Sequence, residues 1–501
     1  MPRRETQIRM DGRATQPESL DAFLVAPRVV PPLDAAFRPA VLARRALAEA
    51  VRRSGKGIVG AVAVEQPGAA VCAADVFLFA EGHPAAAASR ALCERMVKSL
   101  LWSRGGSRVW VDGPPELVDD LRRHYAEDAT GRWDAQMMGD VVYGQAFEVV
   151  AAPRCRFPAS TETTTELGRH LEGCRIGFDL GASDRKAAAL IDGEVVFSEE
   201  IPWDPSRHDD PQWHYDQIMD SLWRAAEHLP RVDAIGGSAA GVYVDSQIRV
   251  ASLFRSVPPE VFKKRVPGLF SEMKRAWGGI PFVVVNDGEV TALAGAMAGE
   301  VGGLLGIAMG SSLAAGYVTR EGCLTSWLNE LAFAPIDCAP VAPADEWSGD
   351  RGCGAQYMSQ QAVGRLLAPA GIEAGPTSPL PERLVQLQKL MATGDERAAR
   401  VYETIGTYLG YALLGYRDIY DFDNVLVLGR VVSGPGGDVI LARAGEVLAS
   451  DDAVDPAAAV SRPSAITFHT VSERDKRHGQ AVAAASLPAL ERSQASTGSS
   501  S

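Results

Sequence analysis

No stretch of this chain approaches the ~18 consecutive apolar residues that a membrane-crossing helix requires. Its first residues, MPRRETQIRMDGRATQPESLD, lack the apolar core of a secretory signal. These two absences lead to the expectation of a cytoplasmic protein. Cysteine is sparse: Cys72, Cys93, Cys155, Cys174, Cys323, Cys338 and Cys353 are odd in number and scattered, and no CxxC pair occurs. Neither a disulfide framework nor a zinc ribbon is indicated by such spacing. Surplus positive charge is missing as well. The 50 Lys and Arg are outnumbered by 63 Asp and Glu, for a net charge of −13. The totals therefore imply no basic face for nucleic acid.

What is present is a globular composition, 46% hydrophobic and 23% charged over 501 residues, enough for two or three domains. Residues 1–32 and 491–501 are polar with little periodicity and are expected to be disordered. Helical spacing predicts a helix over 33–53. Strands Gly57–Glu65 and 70–79 follow, turned at Pro67-Gly68, then a helix at 84–102, a short strand at 108–111 and a helix at 115–124. Residues 33–152 thus read as a small α/β or α+β domain without nameable chemistry, its Trp102 and Trp110 expected in the core. Turn-formers and Thr repeats make 153–173 a linker, and a larger unit occupies 174–490.

The larger unit opens with RIGFDLGASDRKAAALID, residues 175–192. A strand ends in Asp179, small residues Gly181, Ala182 and Ser183 make a turn, and a second strand returns. Such a turn offers backbone N–H groups and a hydroxyl to a phosphate, with Asp179 placed to hold hydrated Mg²⁺. A small-residue hairpin is more often only a hairpin, so the weight comes from downstream. Leu304–Met309, Gly310-Ser311-Ser312 and Leu313–Val318 repeat the pattern, and two such turns would face one another across a polyphosphate. The apolar strand 281–285 ends in Asn286-Asp287 before a helix at 289–298, at the strand end where α/β folds hold ligands. The bland alternative is that Asp287 only caps that helix. A strand at 232–235 precedes GGSAAG, residues 236–241, read as a glycine turn for close ligand approach.

Toward the end of the chain, a helix at 398–414 leads to strand 425–428 and a turn with Gly429, Gly434, Gly436 and Gly437, able to lie flat against a nucleobase. A helix at 438–448, a strand at 465–469 and a helix at 479–487 follow. His208 and His214, with Asp209, Asp210 and Asp216 nearby, match no compact zinc spacing, and Asp210-Pro211 reads as the cap and first turn of a helix at 212–228.

In this order the stretches resemble the ROK family of sugar kinases and sugar-responsive repressors, within the actin-like ATPase superfold, over about residues 174–490. FDLGASDRKAAALIDGEVV looks like the family's first phosphate motif, VVVNDGEVTALAGAM like its catalytic-aspartate motif, MGSSLAAGYV like its second phosphate motif and VLVLGRVVSGPGG like its adenosine strand and turn. The resemblance implies a two-lobed α/β fold of the ribonuclease H-like class, use of ATP and Mg²⁺, and a small sugar-like substrate; from the charge balance and the absent apolar runs no nucleic acid or membrane partner is expected, and a homodimer is left open. It implies Asp287 as catalytic base, Asn286 and Glu330 as acceptor ligands, Asp179 as the Mg²⁺ holder through water, and Gly181, Ala182, Ser183, Gly310, Ser311 and Ser312 as phosphate ligands. Gly429 and Gly434 would flank the adenine.

The departures from the family pattern matter equally. Phe333 stands where a His is usual, Glu346 and Ser348 where two zinc-binding cysteines are usual, and only Cys353 is kept. One thiolate does not hold a structural zinc, so none is expected. Ala355 replaces a sugar-contacting Glu, and Asp184 a Lys beside the first turn. Two functions follow: an ATP-dependent kinase of a sugar, cyclitol or amino sugar, or a catalytically silent sugar-binding sensor or scaffold without a DNA-binding domain. A repressor is disfavoured, because 33–152 offer one helix before a β-hairpin in place of a winged helix with a basic recognition helix.

Overall fold

The computed structural model describes residues 20–68, 71–160, 167–375, 377–452, 465–470 and 473–490. The expected disorder of 1–19 and 491–501 falls outside them. Proline sets the first helix boundary. Pro39, with φ −53° and no N–H, precedes α1 (Ala40–Ser54), which begins seven positions later than the spacing predicts because a helix rarely runs through a proline. It ends at Gly55, left-handed at φ 63°. Then come β1 (Gly57–Glu65), β2 (Val71–Phe79), α2 (Ala86–Arg104), β3 (Arg108–Asp112), α3 (Pro115–Glu127), α4 (Ala129–Gln136), a π-helical turn at Met137–Tyr143 and β4 (Glu148–Ala151). They form a sheet of order β2-β1-β3-β4, antiparallel except for β3 and β4.

The next sheet uses β5 (Cys174–Leu180), β6 (Asp184–Ile191), β7 (Glu194–Pro202), β8 (Ala234–Ala239) and β11 (Phe282–Asn286), in the order β11-β8-β5-β6-β7. β5, β8 and β11 are parallel, and β6 is antiparallel to both its neighbours. α5 (Pro211–Ala226), capped by Asp210, the hairpin of β9 (Val242–Val244) and β10 (Gln247–Val250), α6 (Pro259–Arg265) and α7 (Leu269–Ala276) complete this lobe. Phe178, Phe270 and Phe282 meet at its core.

α8 (Asp287–Ala298) leads into the second lobe. There β12 (Leu304–Met309), β13 (Leu313–Val318), β14 (Asn424–Leu428) and β15 (Thr467–His469) form a sheet of order β13-β12-β14-β15, covered by α9 (Gln360–Leu366), α10 (Leu380–Ala392), α11 (Glu396–Tyr416) and α12 (Pro435–Asp452). The fold is thus the expected mixed α/β arrangement with two lobes. α13 (Glu473–Ala485) crosses back to the first lobe. That return corrects one expectation: GGSAAG is largely strand, because Gly236 lies in β8 and a Cβ there would collide with Ala484 O of α13. The glycine serves close helix-on-sheet packing, not a ligand.

The first unit shares its core with the second lobe. Leu100, Leu101 and Trp102 of α2 share one continuous buried cluster with Ile336, Tyr408 and Tyr416. Phe37, fully buried, packs on Tyr357, Tyr408 and Tyr411, and the Ala40 N–H reaches Ile336 O at 2.9 Å. Lys98, also fully buried, pairs with Asp134 and with Asp350 of the second lobe, each at 2.8 Å. Even part of the expected N-terminal disorder is ordered: Phe23 is buried and Val29 N–H donates to the Tyr411 hydroxyl at 3.2 Å. Apolar burial with a satisfied main chain outweighs the polar local composition there. Within the expected linker, residues 161–166 lie outside the described residues, while Gly168 N–H bonds Leu487 O.

Candidate functional site

The first turn closes with Gly181 N–H on Asp184 O at 2.9 Å. This leaves the N–H groups of Ala182 and Ser183 without an acceptor among the described residues, both exposed. Trp203 buttresses the turn from behind, its indole N–H on Gly181 O at 2.8 Å. Asp179, 4% exposed, accepts the Ser238 hydroxyl at 2.6 Å and lies 3.5 Å from Lys186 Nζ. Burial raises its pKa, against the pull of Ser238 and Lys186. The Lys186 ammonium also lies 3.4 Å from Asp184. Burial opposes its charge, but Asp179 and Asp184 outweigh that and raise it. The sequence reading missed Lys186. The signal was available in the hairpin register, since Lys186 is paired directly with Asp179 across the turn.

β5, β8 and β11 end side by side, with Leu180 and Asn286 both in register with Ala239, so Asp179 and Asp287 share one sheet edge. Asn286 caps α8: its Oδ1 accepts Gly288 N–H at 2.7 Å, and its Nδ2 donates to Gly241 O at 2.6 Å. One amide hydrogen of Asn286 is left for an acceptor. Gly288 N–H also touches Asp287 Oδ1 at 3.0 Å, and no side chain donates to the half-buried Asp287 carboxylate among the described residues. Burial and the Asp179 charge push Asp287 up to about 6. The same helix end meets the other lobe, where a Cβ on Gly288 would lie 2.5 Å from Ala315 O of β13.

The second turn repeats the first. Gly310 N–H closes on Ser312 O at 2.9 Å, and the N–H groups of Ser311 and Ser312, both exposed, have no acceptor among the described residues. β12 and β14 are parallel neighbours with Ala308 opposite Leu428. Gly429 therefore follows beside Met309, so closely that a Cβ would strike Met309 O. Gly434 is left-handed at φ 79° and exposed. Gly436 has a packing role instead, its α-carbon against the Tyr402 ring.

Glu330 is half-buried and carries no side-chain hydrogen bond among the described residues. Burial and the Asp287 charge push it up to about 8. Glu289, in the first turn of α8, is likewise raised to about 8 by burial, against a hydrogen bond from Asn329. Glu289 and Asn329 went unnoticed in the sequence, and nothing local marks them. Phe333 packs on Trp102 and Trp133, ring centroids 4.4 and 5.0 Å away. Ser348 donates to Asp345 at 2.9 Å, Glu346 is exposed and Cys353 is buried. His214 is buried between Pro205 O and Leu253 O at 3.1 Å, in keeping with a core histidine.

No protein-family model and no curated protein matches the chain. Among solved structures it is similar to a ROK hexokinase from Thermus thermophilus, with 18% identity over 63% of this chain and 97% of that one, at a TM-score of 0.49. It is also similar to a ROK family glucokinase from Streptomyces griseus in complex with glucose and AMPPNP, with 19% identity over 63% and 99% and a TM-score of 0.42. A ROK family transcriptional regulator, described as a homolog of the E. coli MLC protein, is 19% identical over 62% and 78% with a TM-score of 0.48. Likeness this distant carries no weight on activity, which is read from the geometry above. No helix among the described residues is long and apolar enough to cross a membrane.

Proposed function

We propose that the protein is an ATP-dependent kinase that transfers a phosphoryl group to a hydroxyl of a sugar-like acceptor, a sugar, cyclitol or amino sugar. The observation that carries this reading is Asp287: a half-buried carboxylate on the sheet edge it shares with Asp179, to which no side chain donates among the described residues, at the start of a helix whose cap is Asn286. Phosphoryl transfer needs positioning and charge neutralisation more than covalent chemistry. The N–H groups of Ala182 and Ser183 on one side and of Ser311 and Ser312 on the other receive the phosphates, in turns closed by the Gly181 and Gly310 N–H groups, with Gly429 and Gly434 at the adenine.

The donor set fits Mg²⁺ carried in with the triphosphate: one carboxylate, Asp179, stands at the turn, and no group of three metal-ligating side chains occurs among the described residues. Bound there, the ion neutralises phosphate charge. Lys186 adds a fixed positive charge beside the same turn. Asp287 takes the proton of the attacking hydroxyl, being ionised at neutral pH with a pKa of about 6. Glu330 and the remaining amide hydrogen of Asn286 hold neighbouring hydroxyls.

One observation favours a silent sugar-binding sensor: Phe333 is spent in an aromatic cluster at the place where the resemblance calls for a polar ligand. Two measurements separate the readings. Mg-ATP should raise the melting temperature by binding only the folded chain, and Ser183→Glu should cancel that rise by repelling the phosphates. ATP consumption is then screened with D-glucose, N-acetyl-D-mannosamine, D-glucosamine and myo-inositol. Protection without consumption on any acceptor selects the sensor, and no protection at all removes the nucleotide from the reading.

A further inference from the structure

Glu330 sits on a segment without regular secondary structure, where a side chain is placed only by what surrounds it. The surroundings here come from distant parts of the chain. The last carbonyls of an α-helix have no partner inside the helix. Those of Trp102, Ser103 and Arg104, ending α2, accept the N–H groups of Glu330, Asn329 and Leu328 at 2.9, 3.0 and 3.3 Å. The middle residue of this run, Asn329, is 2% exposed and left-handed at φ 55°, a backbone that Asn tolerates better than most side chains do. Both ends of its carboxamide are used. Oδ1 accepts the Tyr420 hydroxyl at 3.0 Å, and Nδ2 donates to Trp327 O at 3.2 Å and to Glu289 Oε1 at 3.3 Å. Glu289 lies two residues past Asp287 on α8.

We infer that Asn329 is a positioning residue: clamped between the end of α2, Tyr420 and Glu289, it sets Glu330 relative to Asp287, and makes the N-terminal unit part of the acceptor half of the site. The roles of the two carboxylates rest on the proposed function. The physical content does not, for one side chain joins the segment bearing Glu330 to the helix bearing Asp287. The bracing extends along the same segment. Gln66 Nε2 donates to Ser326 O at 2.9 Å, the Arg104 guanidinium lies 3.0 Å from the centroid of the Trp327 ring, and Lys98 and Arg95 pair with Asp350. Cutting the Asn329 bonds lets the segment shift against α8 while both carboxylates remain.

The test reads the coupling of Glu330 to Asp287 directly and needs no turnover. The Glu330 carboxyl is titrated by infrared spectroscopy in the full chain, its band assigned by loss in Glu330→Gln. The charged groups around it are Asp287 and Glu289, with Asp179 and Lys186 beyond. In the otherwise native chain, Asp287→Asn removes a like charge and should lower the Glu330 midpoint by about one pH unit or more. In an Asn329→Gly background, where glycine keeps the left-handed backbone but both bonds are gone, the same change should move the midpoint by less than half as much. Tyr420→Phe, which takes away the hydroxyl orienting Asn329, should give a partial loss and serves if Asn329→Gly fails to fold. Equal midpoint changes in the native, Asn329→Gly and Tyr420→Phe backgrounds overturn the inference. A chain that phosphorylates nothing yet loses coupling in Asn329→Gly removes the kinase and leaves the positioning role standing.

Discussion

Asn286 caps the helix that Asp287 opens. Its Oδ1 takes the Gly288 N–H at 2.7 Å while its Nδ2 holds Gly241 O, so two strand ends and a helix start are tied by one amide. The carboxylate next to it shares the Gly288 N–H at 3.0 Å through Oδ1 and takes no side-chain donor among the described residues. A helix N-terminus also stabilises negative charge, which keeps Asp287 from rising further than about 6 despite burial and the nearby Asp179.

Asp287→Asn should cut phosphoryl transfer by about 10² to 10⁴-fold, as loss of a general base does, while leaving Mg-ATP protection and the cap intact. Stability at neutral pH should hold or rise, since a disfavoured charge is removed. If the proposed kinase reading holds, kcat/KM of the native chain should climb as pH rises through about 6, where Asp287 ionises. Steady-state rates against pH check this, and a flat profile across that range would show that Asp287 is not the base.

Glu330→Gln should alter the pH dependence of stability. The carboxyl titrates near 4.5 unperturbed and near 8 in the fold. Between those values the unfolded chain has released a proton that the folded chain keeps, so raising pH favours unfolding. The penalty is absent below about 4.5 and complete above about 8. Thermal melts should therefore show Glu330→Gln more stable than the native chain at pH above 8 and no different at the acid end. A variant less stable at alkaline pH would contradict the burial of Glu330.

Lys98→Met should cost about 3–5 kcal/mol, because Asp134 and Asp350 lose the buried cation that both contact. Adding Asp134→Asn should recover part of the loss. Urea unfolding midpoints measure both. A change below about 1 kcal/mol for the single variant would mean that water reaches this network and that it does not tie the first unit to the second lobe.

Strands bounded by small-residue turns were legible in the sequence: Gly57–Glu65, Leu304–Met309 and Leu313–Val318 fall where the apolar runs put them. Asp210 also caps its helix as read. What escaped has a long-range cause. Gly236 looked like a turn because its reason for being glycine is Ala484, far along the chain. Lys186 looked like one charge in an apolar strand until the hairpin register set it opposite Asp179. The first unit read as separate because local pattern says nothing about Lys98 meeting Asp350, or about the end of α2 accepting Leu328, Asn329 and Glu330. α4 and β4 carried too few periodic apolar positions to be seen.

The crossing of α13 back onto Gly177 and Gly236 bears on the order of synthesis. β5 and β8 leave the ribosome early, but the helix that covers their face is made only after β15 of the second lobe. The nascent first lobe must wait with that apolar face open, so its folding is bound to the translation of α13 and not to that of its own strands. A premature stop after β15 would delete nothing from that sheet and still leave it uncovered, a target for chaperones and proteases.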